Sequence, residues 1–188
     1  MVTHPSILLI EDSPGECELF RLALAQTGLD VTLYTEQGAE VAFRFLENQW
    51  AAPAVVPLRA SNEGSPRPRV ARAQDQAGVV HSLPSTSTET LPAASPSLIL
   101  LDLNLRGQDG CDFLKRLRSD PRFAAIPIVI FTTSDDQQDL ARCYASGANG
   151  YVIKPGTFAE LVQCTQDICH YWLNRNRVPY IDMAETPC

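Results

Sequence analysis

Residues 98–110 read Leu98-Ile99-Leu100-Leu101-Asp102-Leu103-Asn104-Leu105-Arg106-Gly107-Gln108-Asp109-Gly110. Four apolar residues in a row, with no polar alternation, fit a strand buried on both faces of a parallel sheet. The run stops at Asp102. The turn that follows contains Gly107 and Gly110, which would expose the Asp102 carboxylate at the mouth of the strand. A helix is expected from about Asp109, carrying Phe113, Leu114 and Leu117 and stopped by Asp120-Pro121.

The same strand-then-helix rhythm runs outward in both directions. Upstream, Ile7 to Ile10 is a second buried run, stopped by Glu11-Asp12. Ser13-Pro14-Gly15-Glu16 then supplies an N-cap, a first-turn proline and a capping-box glutamate. Leu19, Leu22, Ala23 and Gln26 recur at helical spacing until Gly28. Val31 to Tyr34 reads as a strand, and Gly38 to Leu46 as a helix with Val41, Phe45 and Leu46 on one face. Downstream, Ile126 to Phe131 is a strand ending at Thr132, and Asp135 to Ser146 a helix closed by Gly147. Tyr151 to Ile153 is a strand ending at Lys154-Pro155, where a cis bond is the minority state. Thr157 to Asn174 is the last helix. Five strands alternating with five helices predict an α/β fold, a doubly wound five-stranded parallel sheet.

Ligands of such sheets sit outside the carboxyl ends of the strands, where strand order reverses. The residues just past four of those ends are Glu11-Asp12, Asp102, Thr132 and Lys154, which are therefore expected on one rim.

Composition divides the 188 residues unevenly. Residues 51–96 hold 7 of the 14 prolines and no aromatic residue, with a charge near +1. The remaining 142 residues carry about −8 of the net −7. We therefore expect a single domain over 1–174, interrupted between its second helix and third strand by a long flexible insertion at 51–96. The 14 residues 175–188 are expected to be a tail without an output domain. The acidic balance lacks the basic footprint of nucleic-acid binding. No apolar run reaches the length of a membrane span, and the absence of a basic leader before Ile7 reads as a cytoplasmic protein. Cys17, Cys111, Cys143, Cys164, Cys169 and Cys188 contain no CxxC pair, and His4, His81 and His170 make no metal spacing with them. These cysteines read as reduced packing thiols.

Clustered carboxylates on adjacent strand ends are tolerable only when a cation neutralises them, and all-oxygen donors point to Mg²⁺, with Mn²⁺ as the substitute. Asp102 is then a nucleophile toward a phosphoryl donor. Phosphoryl transfer needs in-line positioning and neutralisation of the equatorial oxygens. The metal, the Lys154 ammonium and the Thr132 hydroxyl could each serve one. The chain has 13 arginines and only two lysines, Lys115 and Lys154, so whatever biases the sequence toward arginine did not act at position 154.

Together, Glu11-Asp12, Leu101-Asp102-Leu103-Asn104-Leu105 with Gly107 and Asp109-Gly110, Phe131-Thr132-Thr133-Ser134, Gly147-Ala148 and Tyr151-Val152-Ile153-Lys154-Pro155 resemble the CheY-like receiver domain of two-component response regulators. Several phrases are most similar to the stand-alone subgroup that serves cyanobacterial and bacterial phytochrome kinases. The resemblance implies a flavodoxin-like strand order 2-1-3-4-5. It further implies Asp102 as phosphoacceptor, Asp12 as a direct metal ligand with Glu11 acting through water, and the Asn104 main-chain carbonyl as another ligand. Lys154 would pair with the acyl phosphate. Thr132 and Tyr151 would be the switch pair, while Asn104 and Ser134 would tune hydrolysis. Bland readings stand beside these: Tyr151 also suits a core position, and Thr133 and Ser134 also suit the cap of the fourth helix.

The expected function is that of a single-domain response regulator. It would accept a phosphoryl group from a histidine kinase, phytochrome-like in type, and catalyse only its own phosphotransfer and dephosphorylation. Homodimerisation through the surface from the fourth to the fifth helix and the C-terminal region is the expected contact, with no nucleic-acid or membrane partner. An aspartyl-phosphate phosphatase or mutase is the competing enzyme reading, weakened because Asn104 stands where such enzymes place their acid/base aspartate. An interaction module with an unused site is the third.

Overall fold

The computed structural model describes residues 4–49 and 95–178, so residues 51–94 of the expected insertion and 179–188 of the expected tail lie outside the described residues. Strands β1 (Ser6–Ile10), β2 (Thr32–Glu36), β3 (Leu98–Leu101), β6 (Ile128–Thr132) and β7 (Gly150–Ile153) form one parallel sheet in the order β2-β1-β3-β6-β7. A two-residue antiparallel pair, β4 (Asn104–Leu105) with β5 (Gln108–Asp109), follows β3 and was not foreseen. The helices are α1 (Pro14–Gln26), α2 (Ala39–Gln49), α3 (Gly110–Ser119), α4 (Gln137–Ala145) and α5 (Phe158–Cys169). Allowing for the extra pair, the strand order is the one expected.

Alternation along each strand sends neighbouring side chains to opposite faces. Ile7, Leu9, Leu98, Leu100, Val129 and Phe131 pack with Phe20 and Leu24 of α1 and with Ile168 and Cys169 of α5. Leu8, Ile10, Ile99, Leu101, Ile128 and Ile130 pack on the other face with Ala42, Leu46, Leu114 and Leu117 of α2 and α3 and with Cys143 of α4. The sheet is thus covered on both sides, which is why its central strands read as unbroken apolar runs.

Several local expectations are corrected. Leu19 (47% exposed), Leu22 (41%) and Val41 (54%) face outward, because α1 turns Cys17, Phe20, Ala23 and Leu24 to the sheet and α2 turns Ala39, Ala42 and Leu46. Ser13 caps α1 as expected, its Oγ accepting from the Glu16 N–H at 3.4 Å, but the Glu16 carboxylate goes elsewhere. Helix α4 is capped by Asp136, which accepts from the Gln138 N–H at 2.6 Å, rather than by Thr133 or Ser134. The last helix continues past α5 as a π-helix over His170–Arg175. Lys154-Pro155 is trans, the majority state expected for it. Cys111 and Cys143, buried and 5.6 Å apart at Cα, form a disulfide between α3 and α4, against the expectation of reduced thiols throughout. Cys17, Cys164 and Cys169 are free.

Two glycines place the loop after β3. Gly107 turns the β4–β5 pair at φ +73°, a backbone conformation costly for L side chains. Gly110 lies so close to the Asp102 main chain that a Cβ there would sit 2.3 Å from its carbonyl oxygen. The N-terminus of α3 is therefore held directly against the backbone that carries Asp102.

Candidate functional site

The chain leaves β1 toward β2 on one side of the sheet and returns to β3 on the other, so the carboxyl ends of β1 and β3 face a common crevice. Glu11, Asp12 and Asp102 emerge there. Main-chain bonds extend the ladder by one residue on each side: the Glu11 N–H donates to the Glu36 carbonyl and the Asp102 N–H to the Ile10 carbonyl, both at 3.0 Å. The Lys154 N–H likewise donates to the Thr132 carbonyl at 2.7 Å, setting the ends of β6 and β7 beside the other two. The rigid sheet thus brings all five expected residues to one rim.

Carboxylate oxygens of Glu11, Asp12 and Asp102 lie within 4.8 Å of one another. Glu11 is 1% and Asp102 6% exposed. Three hard oxygen donors in such a space, with like charges that must be neutralised, suit a divalent cation of the Mg²⁺ or Mn²⁺ type. Each carboxylate is also held by the protein. Asp102 Oδ1 accepts from the Leu103 N–H at 2.7 Å, and Glu11 Oε1 from the Ser13 N–H at 2.9 Å. The more open Asp12, still partly buried, faces Nε of the exposed Arg106 at 3.4 Å, a pair that nothing in the sequence pattern marks.

Lys154 is the counter-charge. Its Nζ donates to Glu11 Oε2 at 2.5 Å, to Asp102 Oδ2 at 3.2 Å and to the Glu16 carboxylate. Burial alone would lower its pKa, but the hydrogen bonds to Glu11 and Glu16 and the charge of Asp102 hold it above the usual lysine value, so it stays an ammonium. Glu11 is pushed up to about 7, chiefly by burial, with Lys154 pulling the other way. The sequence pattern marks Glu16 only as a capping residue. The signal that would have found it is geometric: α1 begins at the rim, so its first turn stands directly over the strand ends.

Thr132 ends β6 fully buried, and its Oγ1 accepts from the Ser134 N–H at 3.3 Å. The Ser134 hydroxyl donates to Asp139 Oδ2 at 2.8 Å, and the Tyr151 hydroxyl donates to the Ser134 carbonyl at 3.0 Å. The segment after Thr132 is thereby tied to both α4 and β7. The Tyr151 ring, partly buried, packs against the core on the α2–α4 side. Asn104 opens β4 two residues after Asp102 with its side chain exposed.

A family model described as the response regulator receiver domain matches residues 69–166, just over half of the chain. The probable methanogenesis regulatory protein FilR2 of Methanothrix harundinacea is 42% identical over 84 residues, 45% of this chain and 54% of that protein, so this chain spans about half of FilR2. Response regulator Rcp1 of Synechocystis is 28% identical over 92% of each chain. The crystal structure of its Mn²⁺-bound form superposes with a TM-score of 0.64, covering 94% of this chain and 99% of that one at 26% identity. The phosphorylated cyanobacterial phytochrome response regulator RcpA superposes with a TM-score of 0.66, at the same identity and coverage.

Proposed function

The chain belongs to the response regulator receiver domain family, and from that premise we propose that it is a Mg²⁺-dependent phosphoacceptor of a two-component relay, phosphorylated on Asp102. A phosphoacceptor signalling role is common to this family and to its phytochrome response regulator relatives. The observation that carries the assignment to Asp102 is its place in the constellation: a carboxylate within 4.8 Å of two others and 3.2 Å from a charged lysine.

Glu11, Asp12 and Asp102, with the Asn104 main-chain carbonyl, are the residues to hold the metal. When bound, it supplies positive charge to a phosphoryl oxygen. The main-chain bond from Leu103 to Oδ1 fixes the Asp102 carboxylate and leaves Oδ2, on the Lys154 side, as the attacking atom. With phosphohistidine as donor, the Oδ2–P bond forms as the P–N bond breaks, and the imidazole leaves with the proton that its nitrogen takes up. With acetyl phosphate, acetate leaves. Lys154 pairs with a second phosphoryl oxygen and the Thr132 hydroxyl donates to a third, so each equatorial oxygen has a partner. Thr132 and Tyr151 are the switch pair: drawing Thr132 toward the phosphoryl group disturbs the Ser134 segment that Tyr151 holds. Asn104 and Ser134 flank the approach of water and tune autodephosphorylation.

The donor is a histidine kinase, phytochrome-like by analogy with RcpA, and the place of action is the cytoplasm. Among the described residues no helix is long and apolar enough to cross a membrane. A second copy of the chain is the partner proposed for the α4 to α5 surface, where Tyr144, Ile153, Phe158 and Tyr171 are exposed.

The test is incubation with Mg²⁺ and acetyl phosphate followed by intact-mass and peptide analysis. The expected result is one phosphoryl group on Asp102, absent in Asp102→Asn and absent when the metal is chelated. Phosphorylation of Asp102→Asn to the wild-type extent would refute the assignment.

A further inference from the structure

An ammonium has three N–H donors, and in this structure all three of Lys154 are committed, to Glu11, Glu16 and Asp102. A phosphoryl group arriving on Asp102 brings close to two negative charges and strong acceptor oxygens. Bonding of Asp102 Oδ2 to phosphorus frees the N–H that it held, but for the ammonium to move out to the phosphoryl oxygens the two other carboxylates that anchor it, Glu11 and Glu16, must yield.

The two are not equally free to do so. Glu11 is 1% exposed and also holds the Ser13 N–H at 2.9 Å, so releasing it would strand a buried carboxylate. The Glu16 side chain is 42% exposed. Its backbone is fixed by the Ser13 cap, but its carboxylate can rotate into water at little cost. It lines the cleft between α1 and α5 together with Glu11, Phe131, Lys154 and Leu161, which leaves room for that movement.

We infer that Glu16 is a positioning residue for phosphoryl transfer: its carboxylate holds the Lys154 ammonium in the unphosphorylated protein and surrenders it to the phosphoryl group on Asp102. Glu16 is thus a competitor of the phosphoryl group, and its charge sets the balance between the two states of the site. It also adds a negative charge that an incoming anionic donor must approach. Both effects act in one direction, so neutralising Glu16 favours the phosphorylated form.

The inference rests on the receiver reading above, and one set of measurements separates the two. The full chain, wild type and Glu16→Gln, is titrated with beryllofluoride in the presence of Mg²⁺, with Glu16→Ala in parallel should the glutamine variant not fold. Glutamine preserves the length and helix position of the side chain and removes its charge. Because Lys115 and Lys154 are the only lysines in the sequence, labelling lysine with ¹³C at Cε gives two resonances, and Lys154→Met identifies the one of interest. Removing the Glu16 charge is expected to tighten beryllofluoride binding at least threefold and to shift the Lys154 resonance before any ligand is added. Affinity that is unchanged or weaker, or an unmoved Lys154 resonance, would overturn the role of Glu16. Failure of the wild type itself to bind beryllofluoride would overturn the receiver reading instead.

Discussion

Asp12 is under two opposed demands at the residue scale. As a proposed metal ligand it must stay close to Glu11 and Asp102, and without a cation that closeness is repulsive. Its pair with Arg106, 74% exposed, offers little compensation. Asp12→Asn is therefore expected to leave the metal-free protein as stable as the wild type or more so, while abolishing stabilisation by Mg²⁺. If the wild type binds Mg²⁺ as proposed, the ion at ten times its dissociation constant would contribute about 1.4 kcal/mol, a rise of several degrees in melting temperature. Calorimetric scans of both proteins across a Mg²⁺ series check this, and a parallel rise in Asp12→Asn would remove Asp12 from the metal site. Asp102 and Lys154 were legible from the sequence because each follows an apolar strand at a place the fold reserves for ligands. Glu16 was not, since its partner lies 138 residues away and a local cap explained it equally well.

Helix α3 shows at the element scale how a segment is fastened at both ends. At its start, Asp109 caps it by accepting from the Cys111 N–H at 2.8 Å and pairs with Arg142 of α4 at 2.5 Å. The Cys111–Cys143 disulfide joins the same two helices. In the oxidised protein, closing a separation of 32 residues is worth roughly 3–4 kcal/mol in the chain-entropy account, a contribution that reduction to the thiols removes. At its other end, Arg118 spreads its guanidinium over the carbonyls of Gly147, Phe123, Ala124 and Ile126 and the side-chain oxygen of Asn149. One planar fork thereby stitches α3, the loop before β6 and the turn before β7. Arg118→Met is expected to cost about 2–3 kcal/mol, and Arg118→Lys to recover less than half, because a point ammonium cannot reach acceptors on several sides. Urea unfolding followed by circular dichroism measures both. Equal stability of the lysine variant and wild type would show that only the charge mattered. The positions of these helices could be read from periodicity and caps, whereas the fork and the disulfide could not. In the sequence Arg118 is one of 13 arginines and Cys111 one of six cysteines, and only packing sets them against their partners.

The molecule as a whole separates its ends by role. Strand β3 begins at Leu98, and Asp102 lies just past its carboxyl end, roughly 13 Å further along the strand. Replacing residues 52–93 with a short glycine-serine linker is therefore expected to preserve folding and Asp102 phosphorylation. Loop closure costs only about 0.6 kcal/mol per doubling of length. Circular dichroism and the acetyl phosphate assay decide it, and a variant that is unfolded or not phosphorylated would make that segment structural. The sequence by itself determined the alternation of strands and helices, and with it the rim on which Glu11, Asp12, Asp102, Thr132 and Lys154 meet. It could do so because apolar runs, caps and strand-end positions are local patterns, and a parallel sheet converts them into one edge. Only the tertiary structure decided which faces of α1 and α2 are buried, that two cysteines are bridged, and that Lys154 is shared among three carboxylates. Those outcomes depend on which distant side chains are brought within a few ångströms, and spacing along the chain carries no record of that.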